Sequence, residues 1–212
     1  MQWTLVIPLK PLARAKSRLS DTAADGLRPG LALAFAQDTV TAALACPAVK
    51  DVAVVTDDTL AGRELGALGA HIVPDEPGDG LNAALAHGAA FVRSSRPESA
   101  VAALNADLPA LRPLELARVL EAATEFPRAF LPDAATIGTT LLAAGPGQEL
   151  RPAFGTDSRA RHRTSGAVEL SLTDVDSVRQ DVDTGDDLRA ALALGVGPRT
   201  AAMAARLLIT GP

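Results

Sequence analysis

Near the middle of the chain runs the segment Val101-Ala102-Ala103-Leu104-Asn105-Ala106-Asp107-Leu108-Pro109. Its apolar start has the length of a buried strand, it carries a carboxylate at its end, and Pro109 stops any ladder. In a parallel α/β sheet, ligands bind just beyond the carboxyl ends of the strands, so Asp107 is a candidate ligand group. Aspartate is equally common there as a turn or helix-capping residue. Asp107 alone supports both readings, and the decision rests on what else reaches the same edge.

Outward from that strand, short apolar or β-branched runs alternate with longer Ala/Leu-rich segments. The spacing predicts strands at 3–7, 51–56, 70–73, 129–131, 139–143 and 167–170. It predicts helices over 31–45, 60–68, 81–93, 113–125, 186–194 and 199–208. Such alternation implies an α/β fold, a Rossmann-like and mostly parallel sheet with helices on both faces, forming a single domain over 1–212. The pattern weakens over 134–166, where an insertion is expected.

Composition removes several classes of function. Hydrophobic residues make up 48% and charged residues 21%, as in globular chains. The net charge is -5, with no Tyr, one Trp and five Phe, which excludes a basic, aromatic nucleic-acid surface. A single cysteine, Cys46, excludes an internal disulfide and a multi-cysteine zinc site. The N-terminus lacks the pattern of a signal peptide and no apolar run reaches membrane-spanning length, so a cytoplasmic protein without a membrane partner is expected. His71, His87 and His162 show no ligand spacing and read as ordinary surface or partly buried residues. No Gly-x-Ser-x-Gly occurs, and Cys46 has no local base, so nucleophilic catalysis has no support.

Two other segments compete for the ligand edge. Strand one runs into Leu9-Lys10-Pro11-Leu12-Ala13-Arg14-Ala15-Lys16-Ser17-Arg18, with four cations in nine residues of an acidic chain. Such a loop suits a triphosphate, with Leu9, Lys10, Lys16 and Arg18 at the nucleotide. It has neither the P-loop ending nor a dinucleotide fingerprint. Farther on, Asp181-Val182-Asp183-Thr184 precedes a helix. It reads as capping by Asp183 or Thr184, or as a second carboxylate for the site. Paired with Asp107, that carboxylate would suit Mg2+, which is held by one or two carboxylates together with phosphate oxygens. Gly80-Leu81-Asn82, at a helix start, fits either close approach to a base or ribose, or a tight turn with a cap. Gly138-Thr139-Thr140 and Phe154-Gly155-Thr156-Asp157-Ser158 place hydroxyls and glycine where an acceptor's phosphate or carboxylate could be held. Arg159, Arg161 and Arg163 read as a solvated face in preference to a basic patch.

Together these residues resemble the 2-phospho-L-lactate / phosphoenolpyruvate guanylyltransferase family of coenzyme F420 biosynthesis. The resemblance is carried by Ile7-Pro8-Leu9-Lys10, Lys16-Ser17-Arg18-Leu19, Gly80-Leu81-Asn82, Asn105-Ala106-Asp107-Leu108-Pro109, Gly138-Thr139-Thr140-Leu141-Leu142, Phe154-Gly155 with Ser158, and Asp181-Val182-Asp183-Thr184. It implies a nucleotidyltransferase fold, shared with enzymes acting on molybdopterin or sugar phosphates. It also implies Asp107 and Asp183 as metal-binding and catalytic carboxylates, with Asp181 competing for the second place. Lys16 then falls at the nucleotide phosphates as a further catalytic group, and Thr140, Gly155 and Ser158 at the phosphorylated three-carbon acid. Ile137 departs from the glycine-rich pattern expected there. The implied reaction transfers GMP from GTP to phosphoenolpyruvate, or to 2-phospho-L-lactate, and the product would pass to a downstream F420 transferase.

Overall fold

Trp3, Leu5 and Ile7 alternate with Thr4 and Val6 along strand β1 (Trp3–Pro8), and all five are buried. A strand covered on both faces needs apolar groups at both parities, so its sequence reads as a run without polar alternation. The computed structural model describes residues 1–14 and 27–210; Lys16 and Arg18 lie outside the described residues. Beyond β1 and a 3-10 turn, Leu12–Arg14, the chain forms α1 (Arg28–Leu44), β2 (Val49–Val55), α2 (Thr59–Ala67), β3 (His71–Val73) and α3 (Leu81–Ser95). It continues through β4 (Ala100–Leu104), α4 (Pro113–Ala123), β5 (Arg128–Pro132), β6 (Thr139–Ala144), α5 (Ser158–Thr164) and β7 (Val168–Glu169), and ends in α6 (Asp176–Arg179), α7 (Gly185–Leu194) and α8 (Pro198–Thr210).

One sheet carries all seven strands, in the order β3-β2-β1-β4-β6-β5-β7. Leu5, Ile7, Ala102 and Leu104 pack on one face with Ala32, Ala36 and Val40 of α1 and Leu116 and Val119 of α4. Val6, Val101 and Ala103 pack on the other face with Ala84, Leu85, Ala89 and Val92 of α3. The expected helix-covered, mostly parallel sheet is therefore the observed one. Its exception is β6, antiparallel to both β4 and β5. The short 133–138 turn joining β5 to β6 imposes this, because a tight connection permits only a hairpin.

The strand order fixes where a ligand can sit. From β1 the chain moves outward through β2 and β3, then α3 returns it to β4 on the other side of β1. The loops leaving β1 and β4 thus diverge, opening a crevice at the carboxyl ends of two neighbouring parallel strands. The ladder ends at Leu104, three residues earlier than a strand running to Asp107 would require. Asn105 still donates its backbone N–H to the carbonyl of Thr140 at 3.0 Å, after which the chain leaves the sheet. Asp107 therefore sits on a loop past the strand end.

Candidate active site

The β4 exit loop is fixed at three points. The buried Thr39 hydroxyl on α1 accepts the N–H of Leu108 at 3.0 Å while donating to the carbonyl of Phe35 at 2.8 Å. The carbonyl of Pro109 accepts from Gly197 N–H at 2.9 Å, and that of Asp107 from Val182 N–H at 3.0 Å. The last bond joins the two acidic segments directly. Val182 is fully buried beside Leu31, Phe35, Ala110 and Leu188. On either side of it stand Asp181 and Asp183. Both line the same cleft as Asp107, a cavity of about 680 Å³.

Two readings of 181–184 separate here. Thr184 is the cap of α7: its hydroxyl accepts from Asp187 N–H, and the Asp187 carboxylate reaches back to the Thr184 N–H at 2.8 Å. That leaves Asp183 exposed and lining the cleft. Asp181 is half-buried, and its carboxylate accepts the side-chain amide of Asn105 at 3.3 Å.

One wall of the cleft comes from the β5–β6 turn and the segment before α5. Both carboxylate oxygens of Asp133 accept turn amides, Ile137 N–H at 3.0 Å and Gly138 N–H at 2.9 Å. A Cβ at residue 138 would press on the Asp133 carboxylate, so a larger residue there would have to displace the side chain that holds the turn. Ile137 is 59% exposed at the cleft mouth. Gly155 has φ near 105°, a conformation that glycine adopts without strain, and with Ser158 it lines the cleft. Thr139 also faces the cleft. Thr140 lies behind this wall, with its hydroxyl buried and without a hydrogen-bond partner.

His162 corrects the reading of the histidines as ordinary surface or partly buried residues, because its side chain is fully buried. Nε2 accepts the N–H of Ala153 at 2.9 Å, so in the neutral ring Nδ1 carries the proton and donates to Thr139 Oγ1, also at 2.9 Å. Burial, reinforced by the charges of Arg128 and Arg161, pushes its pKa down to about 4. The α5 arginines are not a merely solvated face either. Arg159 and Arg163 both pair with Glu169, and Arg161 donates to the carbonyl of Phe154 at 2.8 Å. No sequence signal distinguished His162, since its role depends on contacts formed only after the chain has folded.

Opposite this wall, Pro8, Leu9 and Lys10 leave β1 into the cleft, and Leu81 reaches it from the start of α3. Gly80 caps α3 with φ near 89°. Asn82, expected at a base or ribose, turns its amide to the backbone of Phe154. Five of the charged residues lining the cleft are aspartates (107, 133, 157, 181 and 183), and Lys10 is the lining cation among the described residues. A phosphate-rich ligand would be repelled by such a wall without a cation between. No group of three or more metal-ligating side chains occurs among the described residues. Paired carboxylates without a full protein cage suit Mg2+, which keeps its waters and takes further oxygens from phosphate.

Two measurements check these supports. Thr39→Val leaves the buried Leu108 N–H unpaired, so denaturant unfolding should show a loss of about 1–3 kcal/mol. For His162, the folded ring takes up a proton only near pH 4, whereas the unfolded one does so near 6.5. Acid thus favours the unfolded chain, and this contribution is fully present above the unfolded value and lost as pH falls from there towards 4. The full loss is roughly 3 kcal/mol. Unfolding followed across that range should show a slope that His162→Gln removes.

Comparison with known proteins agrees with the geometry. Residues 3–210 match the family described as guanylyl transferase CofC like. A phosphoenolpyruvate guanylyltransferase of Streptomyces coelicolor is 84% identical over 211 residues, spanning the whole of both chains. One from Streptomyces avermitilis is 84% identical over 212 residues, covering 100% of this chain and 98% of its own. Among solved structures, a nucleotidyl transferase from Methanothermobacter thermautotroptrophicus superposes with a TM-score of 0.62 at 24% identity, covering 91% of this chain and 97% of the other, a likeness of fold. With the model match nearly end to end and such relatives at full length, the chain belongs to the CofC-like guanylyl transferase family.

Proposed function

We propose that this chain transfers the GMP moiety of GTP to phosphoenolpyruvate and releases pyrophosphate, as a cytoplasmic step of coenzyme F420 biosynthesis. The observation that carries this reading is the backbone bond between Asp107 and Val182, which draws two acidic segments to one cleft at the β1/β4 edge. The names of the full-length relatives support the choice of acceptor. Among the described residues, no helix is long and apolar enough to cross a membrane.

In this reading, a phosphate oxygen of the acid attacks the α-phosphorus of GTP in line. The bond to the bridging oxygen of the leaving pyrophosphate breaks as the new one forms. The acceptor phosphate is already largely ionised near neutral pH, so no side chain need remove a proton. The chain's work is positioning and charge placement. Gly155 and Ser158 would hold the acid, with Thr140, whose buried hydroxyl has no hydrogen-bond partner among the described residues, as the third group. Leu9, Lys10 and the start of α3 at Gly80 would receive the nucleotide, and Lys16 and Arg18 the departing β- and γ-phosphates. Asp107 and Asp183, with Asp181 beside them, would hold Mg2+. When bound, that ion would neutralise phosphate charge and orient the oxygens around it. The product, an activated phosphoanhydride, would be consumed by a downstream transferase.

Purified protein given GTP, Mg2+ and phosphoenolpyruvate should release pyrophosphate, with 2-phospho-L-lactate run in parallel. Asp107→Asn and Asp183→Asn should each lower kcat/KM by about a hundredfold or more while leaving the circular dichroism spectrum unchanged. Absence of turnover with both acids, or wild-type turnover by Asp107→Asn, would overturn the assignment.

A further inference from the structure

We propose that Asn82 is a positioning residue for the acid side of the cleft: together with His162 it clamps the backbone at 153–154 and so sets the turn that carries Gly155 and Ser158. The inference rests on the reaction proposed above, and it assigns Asn82 a different task from the nucleotide contact suggested by its place at a helix start.

The side-chain amide of Asn82 meets the main chain of Phe154 at both ends. Oδ1 accepts the Phe154 N–H at 2.7 Å, and Nδ2 donates to the Phe154 carbonyl at 3.1 Å. This two-point pairing spans 72 positions of sequence and copies the way one strand residue pairs with another. It requires one acceptor and one donor on a short stem. Asparagine has both; aspartate lacks the donor, and leucine lacks both.

The same segment is gripped from its other side by α5. The Phe154 carbonyl also accepts from Arg161, and Ala153 N–H donates to His162 Nε2. The rings of Phe154 and His162 meet edge to face, with centroids 4.9 Å apart. His162 in turn donates to Thr139, which lines the cleft from β6. Phe154 is 5% exposed. Two elements, α3 and α5, therefore meet on the residue just before the left-handed Gly155, and β6 supports His162 from behind. Backbone gripped in this way cannot drift, and the turn following it keeps one geometry.

Loss of the clamp would let the 155–158 turn move by a fraction of its own width while the fold persists. Misplacement on that scale weakens capture of the ligand the turn faces, with little effect on a ligand held elsewhere. A merely structural residue would behave otherwise, lowering the folded fraction and kcat without moving either KM.

The test compares wild type, Asn82→Leu and His162→Gln by steady-state kinetics, with GTP and phosphoenolpyruvate varied separately, and by hydrogen exchange of the resting protein. Asn82→Leu should raise KM for the acid about tenfold or more and leave KM for GTP within about twofold. His162→Gln, which can still offer an acceptor to Ala153, should raise the acid KM by less. Exchange at the Phe154 amide should quicken in Asn82→Leu while amides of the central strands stay protected. A rise in KM for GTP with the acid KM unchanged would overturn the proposal in favour of a nucleotide contact. A fall in kcat alone would overturn it in favour of a purely structural role. Unaltered Phe154 protection would overturn it whatever the substrate proves to be, whereas wild-type protein inactive with both acids would count against the assigned reaction and leave the exchange result to decide the clamp.

Discussion

The hydrogen bond from Val182 N–H to the carbonyl of Asp107 is the contact on which the rest of the site depends. It joins the exit of the central strand β4 to a segment 75 residues farther along the chain, at the sheet edge where the chain changes direction. Val182 is buried while Asp181 and Asp183 on either side of it line the cleft, and the bonds of Thr39 and Gly197 hold the partner loop. Remove this convergence and the acidic residues become two unrelated polar turns. With it, they form one side of a cleft whose charged lining, among the described residues, is mostly carboxylate.

That charge pattern explains the division of labour across the cleft. A phosphorylated acid and a nucleoside triphosphate are both anions, and an acidic wall can accept them only through a cation. The wall made by the β5–β6 turn and the segment before α5 is held in another way, by hydrogen bonds of Asp133, Arg161 and His162 and by packed rings. His162 is uncharged there because burial beside Arg128 and Arg161 disfavours a second positive charge. A neutral imidazole with a fixed tautomer acts as a bracket between β6 and the 153–154 backbone, where a charged ring would lose its acceptor for Ala153.

Much of this could be read in the chain itself. The alternation of apolar runs and helical segments predicted the sheet, and Asp107 and Asp183, marked out by the proline and threonine that punctuate strand ends and helix starts, both line the cleft. What escaped was tertiary. The antiparallel insertion of β6 follows from a six-residue turn that sequence alone does not rank above a crossover. Thr39 looks like any helical threonine until Leu108 is seen to need an acceptor. His162 could not be told from an ordinary histidine, nor the Phe154 partner of Asn82 foreseen, because a polar residue's contacts are set by partners that lie 72 and 23 or fewer positions away.

In the proposed reaction Asp107 and Asp183 serve a single divalent ion beside the nucleotide. The most direct measurement is a Mn2+ titration, read by electron paramagnetic resonance in the presence of a non-hydrolysable GTP analogue, on wild type, Asp107→Asn, Asp183→Asn and the double variant. Shared ligation predicts that each single change weakens binding strongly and that the double change costs clearly less than the sum of the two, as coupled groups do. Fully additive losses, or a single variant that binds the ion as wild type does, would contradict the account.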